Sequence, residues 1–352
     1  MPKTALTITK DHVIVAITPL LGGARIANIV VEGEGTVGCI LNVNAVEKGD
    51  REALAATIEK AISNMDGVTS ANVVMTAERT DSTPETSKKG NSSAPPKPAP
   101  LAGVKQILAI SSGKGGVGKS TTAVNIALAL RAQGMDVGLL DLDIFGPSLP
   151  TLLGIEGQRP SQNDSKQIVP ILAHGMKVLS IGLMVDNNQP IVWRGPRVMG
   201  ATQQMLRDTA WGPLDVLVID MPPGTGDVQL SMVQNAPITG AVIISTPQDL
   251  ALIDARKGIA MFEQMEVPVL GVVENMSTFA CPHCGEESHI FGHGGAAETA
   301  GNIGASFLGE IPLHMDIRRL ADAGTPIVSE DSSSLAAKAY SAIAEKIAKK
   351  LS

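Results

Sequence analysis

Residues 113–120, GKGGVGKS, constrain this chain more than any other stretch. They satisfy the spacing G-x-x-x-x-G-K-[ST], follow the apolar run QILAIS and lead into STTAVNIALALRAQG, which reads as a helix. Such a loop works only where a buried strand gives way to a helix. Its glycines let successive backbone N–H groups close around phosphate oxygens, and the helix N-terminus adds partial positive charge. An ordinary glycine turn needs none of that spacing. The loop therefore commits the chain to an α/β fold, and the sequence beyond it agrees. DVGLLDLD, KVLSIG, LDVLVIDMP, GAVIIST and VPVLGVVENM are short runs rich in Val, Ile and Leu, and helical segments such as LALIDARKGIAMFEQM separate many of them. This alternation predicts a mostly parallel sheet covered by helices on both faces. Ligands of such sheets sit beyond the carboxyl ends of the strands.

The expected chemistry collects at those ends. Gly113, Gly115, Gly116, Val117 and Gly118 would supply the backbone cradle of a P-loop NTPase for ATP, with Thr121 closing it. Lys119 would reach the β and γ phosphates and the Ser120 hydroxyl would ligate Mg²⁺. Asp141 and Asp143 come just past one buried run. Asp220 ends another, ahead of PPGTGD, as a Walker B aspartate facing the Mg²⁺ shell would. One lysine holds a phosphate, so Lys114 needs another task. K-G-G-x-G-K-[ST] with that early lysine resembles the deviant Walker A loop of the MinD/ParA-type ATPases. The resemblance implies a nucleotide sandwich homodimer in which Lys114 crosses to the partner's phosphates. It also implies that Asp143 orients the attacking water, Asp220 holds magnesium through water and Asn275 reads the adenine edge. Lys114, Lys119 and Asp143 are then the catalytic residues of an ATP hydrolase whose slow turnover waits on dimerisation.

Three cysteines, Cys39, Cys281 and Cys284, make no disulfide framework in a chain of 352 residues. Cys39, beside Ile40 and Leu41, reads as a small core residue. Cys281 and Cys284 form C-P-H-C-G after VVENM. Taken alone, the pair suits zinc, an iron–sulfur cluster or a redox dithiol. His289 and His293 extend it to C-x2-C-x4-H-x3-H, a ligand set for a closed Cys₂His₂ zinc site. Clusters prefer four thiolates, which a two-fold dimer supplies. Residues 104–352 resemble the Mrp/ApbC family of iron–sulfur cluster carrier ATPases, through SSGKGGVGKSTTAVNIALAL, DLDIFGPSLPTLLG, VWRGP, VLVIDMPPGTGD and VVENMSTFACPHCG. That resemblance implies a labile [4Fe–4S] cluster bridged by the paired cysteines of a homodimer, with cluster donors and apo iron–sulfur proteins as partners. The competing expectations are a positioning ATPase of the MinD/ParA type and an ATPase with a structural zinc.

The stretch 81–103 is dominated by Pro, Ser, Lys and Gly and reads as a flexible linker. It separates a small α+β domain, residues 1–80, from the ATPase domain, residues 104–352. In the small domain ARIANIVVEG, TVGCILNVNA and VTSANVVMTA read as strands and DREALAATIEKAISNM as a helix. Its Gly33, Gly35 and Gly38 run into a strand, which marks a hairpin turn and not a dinucleotide fingerprint. By resemblance it is a degenerate iron–sulfur-assembly-like domain: VEKGD stands where a Thr-rich Cys-Pro segment is usual, which points to partner recognition. With a net charge of −7 and 2% aromatic residues, no basic footprint or stacking platform for nucleic acid is expected. Charges at Lys3, Lys10 and Asp11 break the first apolar run, and no stretch approaches a membrane span, so a cytoplasmic location without membrane binding is expected. The tail helix, with Leu335, Ile343, Ile347 and Leu351 near one face, is expected to pack on its own domain.

Overall fold

The computed structural model describes residues 9–22, 24–32, 36–43, 46, 50–76, 98–184, 195–281 and 283–351. Most of the expected linker, together with Gly33, Gly35, residues 192–194 of VWRGP and Pro282, lies outside them. The chain divides into two compact units, Met1–Ser92 and Ser93–Ser352.

In the smaller unit, Arg25–Glu32 pairs antiparallel with Thr36–Asn42, which pairs parallel with Ser70–Thr76. A parallel pair needs a crossover, and the helix Arg51–Ser63 provides it, burying Ile58 and Ile62 fully. Cys39 is 1% exposed in this core, where burial raises its thiol pKa. The sequence pattern missed one element here. Lys10–Ile17 is a helix although β-branched residues dominate its second half. The Thr9 side chain accepts from the His12 N–H at 3.4 Å and caps it, and Val13 and Ile17, four apart, both reach 0% exposure. Burial of that stripe outweighs the local preference for strand.

Among the described residues the larger unit holds an eight-stranded sheet. From edge to edge its strands are Phe307–Ile311, Val269–Asn275, Gly240–Ser245, Val104–Ser111, Leu214–Asp220, Val137–Asp141, Met176–Ser180 and Ile171–Ala173. All are parallel save the last, which returns antiparallel beside Met176–Ser180. One face carries the helices Lys119–Ala132 and Leu335–Leu351, the other the helices Gly195–Arg207, Asp227–Asn235, Asp249–Gln264 and Gly295–Asn302. The central strands are buried on both sides, which is why they read as unbroken apolar runs. The edge strand Phe307–Ile311 escapes the pattern because Gly309 and Glu310 interrupt it.

The tail helix lays Ile343, Ile347 and Leu351 into the core against the loop helix Lys119–Ala132. Leu335, expected on the same face, is 78% exposed at the helix start. No described helix is long and apolar enough to cross a membrane.

Leu139 tests the sheet core away from any ligand. It is fully buried between Val218 and Val178 on the neighbouring strands. Leu139→Ala is expected to lower the stability of this unit by about 2–5 kcal/mol in urea unfolding, from lost transfer energy plus the cavity left behind.

Candidate functional site

The strand Val104–Ser111 runs into the glycine loop, and the helix Lys119–Ala132 begins at its end. Two glycines are fixed by close approach. Gly118 caps the helix in the left-handed region, at φ 80°, where a Cβ would collide with the Asn275 amide nitrogen. A Cβ on Gly113 would strike the backbone of Asp254 in the helix Asp249–Gln264. Asn275, the last residue of its strand, donates Nδ2 to the Val117 carbonyl at 2.8 Å. Val117 itself is core, 2% exposed. The loop is therefore fastened from behind, with its outer side open.

That side lines a cleft of about 230 Å³ formed by Ser112, Lys114, Gly115, Gly116, Gly118, Lys119, Ser120, Thr121, Asp143, Ser148, Leu152 and Pro223. Gly113, Val117, Asn275 and Asp220 lie outside this lining. Lys114 is half-buried, its carbonyl held by the Ser112 hydroxyl at 2.9 Å, and among the described residues no carboxylate pairs with its ammonium. Lys119 points inward. Its ammonium forms an ion pair with Asp220 Oδ1 and reaches Ser120 Oγ at 3.1 Å, while the two charged side chains are 6% and 0% exposed. Burial pushes the Asp220 carboxyl up, against the opposing pull of Lys119 and of the Ser120 hydroxyl. Asp220 Oδ2 is buried with no hydrogen-bond partner. An unsatisfied carboxylate oxygen beside a serine hydroxyl is a hard donor set that fits Mg²⁺.

Asp141, which the sequence places at a strand end without a role, organises the next segment. It is fully buried and accepts from the Asp143 N–H at 2.9 Å, the Ser180 hydroxyl at 2.9 Å and the Leu149 N–H at 3.4 Å. It thus ties down both ends of the turn that presents Asp143 to the cleft. Burial, then the nearby Asp220 charge, raises its pKa to about 7. Ser148, whose buried hydroxyl lacks a partner, also lines the cleft, and nothing in the sequence marks it.

The cysteine pair lies in the loop that joins the strands of a short hairpin. Phe279–Ala280 pairs with Glu287–Ser288, Cys281 N–H donates to the Glu286 carbonyl at 2.9 Å, and Gly285 N–H donates to the Cys281 carbonyl at 2.8 Å. Backbone N–H groups of Cys284 and His283 point at the Cys281 sulfur and lower its pKa. Cys281 is half-buried and Cys284 exposed, so the hairpin presents a polarised thiol and its neighbour outward. The histidines do not join them. His289 and His293 stack with ring centroids 4.5 Å apart, and His293 Nε2 lies 3.1 Å from Glu310. Among the described residues the converging donor trio is Glu274, His293 and Glu310, without either cysteine. The expected Cys₂His₂ zinc set is not gathered.

Residues 103–348 match the family model of the ParA-type NUBPL iron-transfer P-loop NTPases. The chain belongs to this family. The iron–sulfur cluster carrier protein of Escherichia coli K12 is 54% identical over 249 residues, covering 71% of this chain and 68% of that protein. The carrier protein of Pseudomonas fragi is 50% identical over 288 residues, covering 82% and 97% respectively. The iron–sulfur cluster transfer protein NUBPL of Dictyostelium discoideum is 52% identical over 252 residues, covering 71% and 78%. A nucleotide-binding protein of Archaeoglobus fulgidus, solved in complex with ADP and with Co found by PIXE, superposes with a TM-score of 0.57. It is 42% identical and covers 63% of this chain and 87% of its own. The cell-division ATPase MinD of Pyrococcus furiosus, 24% identical with a TM-score of 0.51 over 70% of this chain and 99% of its own, shares the fold.

In this iron-transfer P-loop NTPase the Lys119–Asp220 pair makes a direct prediction for the nucleotide-free protein. Asp220→Ala leaves a buried ammonium without its counter-charge and should cost about 3–5 kcal/mol of stability. Adding Lys119→Met should recover much of that loss, measured as a double-mutant cycle by chemical denaturation. Additive losses in the cycle would contradict the pairing.

Proposed function

We propose that this P-loop NTPase is an ATP-hydrolysing carrier that holds a labile [4Fe–4S] cluster between two copies of the chain and passes it to apo iron–sulfur proteins. The observation that carries this reading is the Cys281–Cys284 hairpin, which presents two thiols outward, with no histidine converging on them among the described residues. Two thiolates hold a cluster only by half. A two-fold axis passing near the hairpin would bring its copy opposite and complete the four. A cluster held in this way is exposed at a subunit boundary, which suits cargo that must leave. The carrier and transfer names of relatives at 50–54% identity support the same role.

The nucleotide chemistry follows from the cleft. Arriving β and γ phosphates would draw the Lys119 ammonium away from Asp220. Ser120 would then ligate Mg²⁺ directly and Asp220 through water, neutralising the charge on the phosphates. Asp143, presented by the turn that Asp141 holds, would orient the attacking water. Asn275 would offer its amide oxygen to the adenine amino group. The Lys114 ammonium, which pairs with no carboxylate among the described residues, would cross to the partner's phosphates, which makes turnover slow and dependent on dimer closure. Asn275 also links the two sites: it holds the loop, and the chain leaving it forms the cysteine hairpin. Cluster donors and client apoproteins are the proposed partners, with the domain of residues 1–80, beyond the 81–103 linker, serving in their recognition.

Anaerobic reconstitution with iron and sulfide tests the cargo. The wild type should take up four irons per dimer and turn brown. Cys281→Ser and Cys284→Ser should each lose the colour, while His289→Ala and His293→Ala keep it. Stoichiometric zinc with no iron uptake by the wild type would overturn the proposal.

A further inference from the structure

Glu274 and Glu310 are direct partners on adjacent parallel strands, Val269–Asn275 and Phe307–Ile311. Two like charges set side by side oppose sheet pairing and call for compensation. The usual compensation would be a lysine or arginine, yet among the described residues none forms an ion pair with either glutamate. Glu274 is 0% exposed, so its charge is also deprived of water. Its oxygens accept from the Gly294 N–H at 3.0 Å and the Ala296 N–H at 2.8 Å, which closes the start of the helix Gly295–Asn302. Each carboxylate oxygen has a second lone pair, and the backbone bonds fix the direction in which it is offered.

The third donor comes from the chain that leaves the cysteine hairpin. His293 Nε2 lies 3.1 Å from Glu310, and one donor atom from each of Glu274, His293 and Glu310 falls within 4.8 Å of the other two. His293 and Glu310 are 46% and 47% exposed, so the trio opens to solvent on one side. One imidazole and two carboxylates, one of them buried without a counter-cation, form the donor set of a first-row divalent transition ion. We propose that Glu274, His293 and Glu310 form a mononuclear site for such an ion, separate from the cysteine pair. A bound ion relieves the glutamate repulsion and ties the exit of the cysteine hairpin to the ends of two strands. Because Glu274 adjoins Asn275, that tie holds the hairpin against the same strand that fastens the nucleotide loop. The site stands on its own donors and does not depend on the carrier role.

Co²⁺ is the probe, since its visible absorption reports geometry and its near-ultraviolet charge transfer reports thiolate ligands. The titration uses the full-length, tag-free Cys281→Ser/Cys284→Ser protein without nucleotide, in excess Mg²⁺ to fill oxygen sites at the phosphate cleft. One Co²⁺ per chain should bind, giving visible bands without sulfur charge transfer. His293→Ala and Glu310→Gln in this background should each weaken binding at least on the order of 10–100-fold, the range that loss of even an outer-shell partner costs. Both side chains are half-exposed, and unchanged ATP binding by the two variants shows that they remain folded. Absence of stoichiometric Co²⁺ binding, or an affinity in either variant unchanged from that of the parent, would overturn the site. Either result leaves iron uptake by the cysteine-intact protein untouched, so the two proposals fail separately.

Discussion

The buried ion pair between Lys119 and Asp220 is the interaction on which the arrangement of the larger unit turns. Each charge loses several kcal/mol of hydration when buried, and only close pairing with further hydrogen bonds repays it. The sheet supplies that closeness. Asp220 stands beside Ile110 in the register between its own strand and the one that feeds the glycine loop, so the carboxylate waits where the loop helix begins. The Lys119 ammonium makes a further hydrogen bond, to Ser120 Oγ at 3.1 Å. The pair joins the loop helix to the adjacent strand in the nucleotide-free chain. It also keeps the lysine in the interior. Asp220 Oδ2 is left buried without a hydrogen-bond partner.

The rest of the site is built outward from this centre by short, specific contacts. Asp141 disciplines the turn that carries Asp143, and Asn275 holds the back of the loop through Val117. The close fit of Gly118 against Asn275 means that the loop cannot shift without disturbing the end of the strand Val269–Asn275. That strand's continuation is the cysteine hairpin. Nucleotide occupancy and presentation of the thiols are therefore mechanically adjacent, separated by the end of one strand and a short connection.

Much of this was legible in the sequence because it depends on local order. The glycine loop announces itself by spacing, Asp220 by its place after an apolar run, and Cys281 and Cys284 by their separation. Features that depend on pairing between distant segments were not legible. The Glu274–Glu310 juxtaposition requires the edge strand Phe307–Ile311, whose apolar run Gly309 and Glu310 break. The spacing of His289 and His293 from the cysteines suggested zinc, but spacing does not fix side-chain direction, and His293 turns to Glu310. The loop motif assigns Lys119 to phosphate; without phosphate, the motif says nothing of the carboxylate that holds it. The helix Lys10–Ile17 was hidden because its β-branched residues favour strand until their burial is known.

Under the proposed function both sites are halves: two thiols of a four-thiolate cluster, and a phosphate cleft awaiting a lysine from a second copy. Mixing Lys114→Ala chains with Lys119→Ala chains tests that claim most directly. Each variant alone should hydrolyse no ATP, for one lacks the crossing charge and the other the lysine that holds the phosphates. In a mixed dimer the intact loop of the Lys114 variant faces the intact Lys114 of its partner. Random pairing at equal amounts should therefore restore about a quarter of wild-type turnover, since half the dimers are mixed and each has one complete site. Heterodimers that demonstrably form yet remain inactive, or a Lys114→Ala chain that hydrolyses ATP at the wild-type rate, would contradict it.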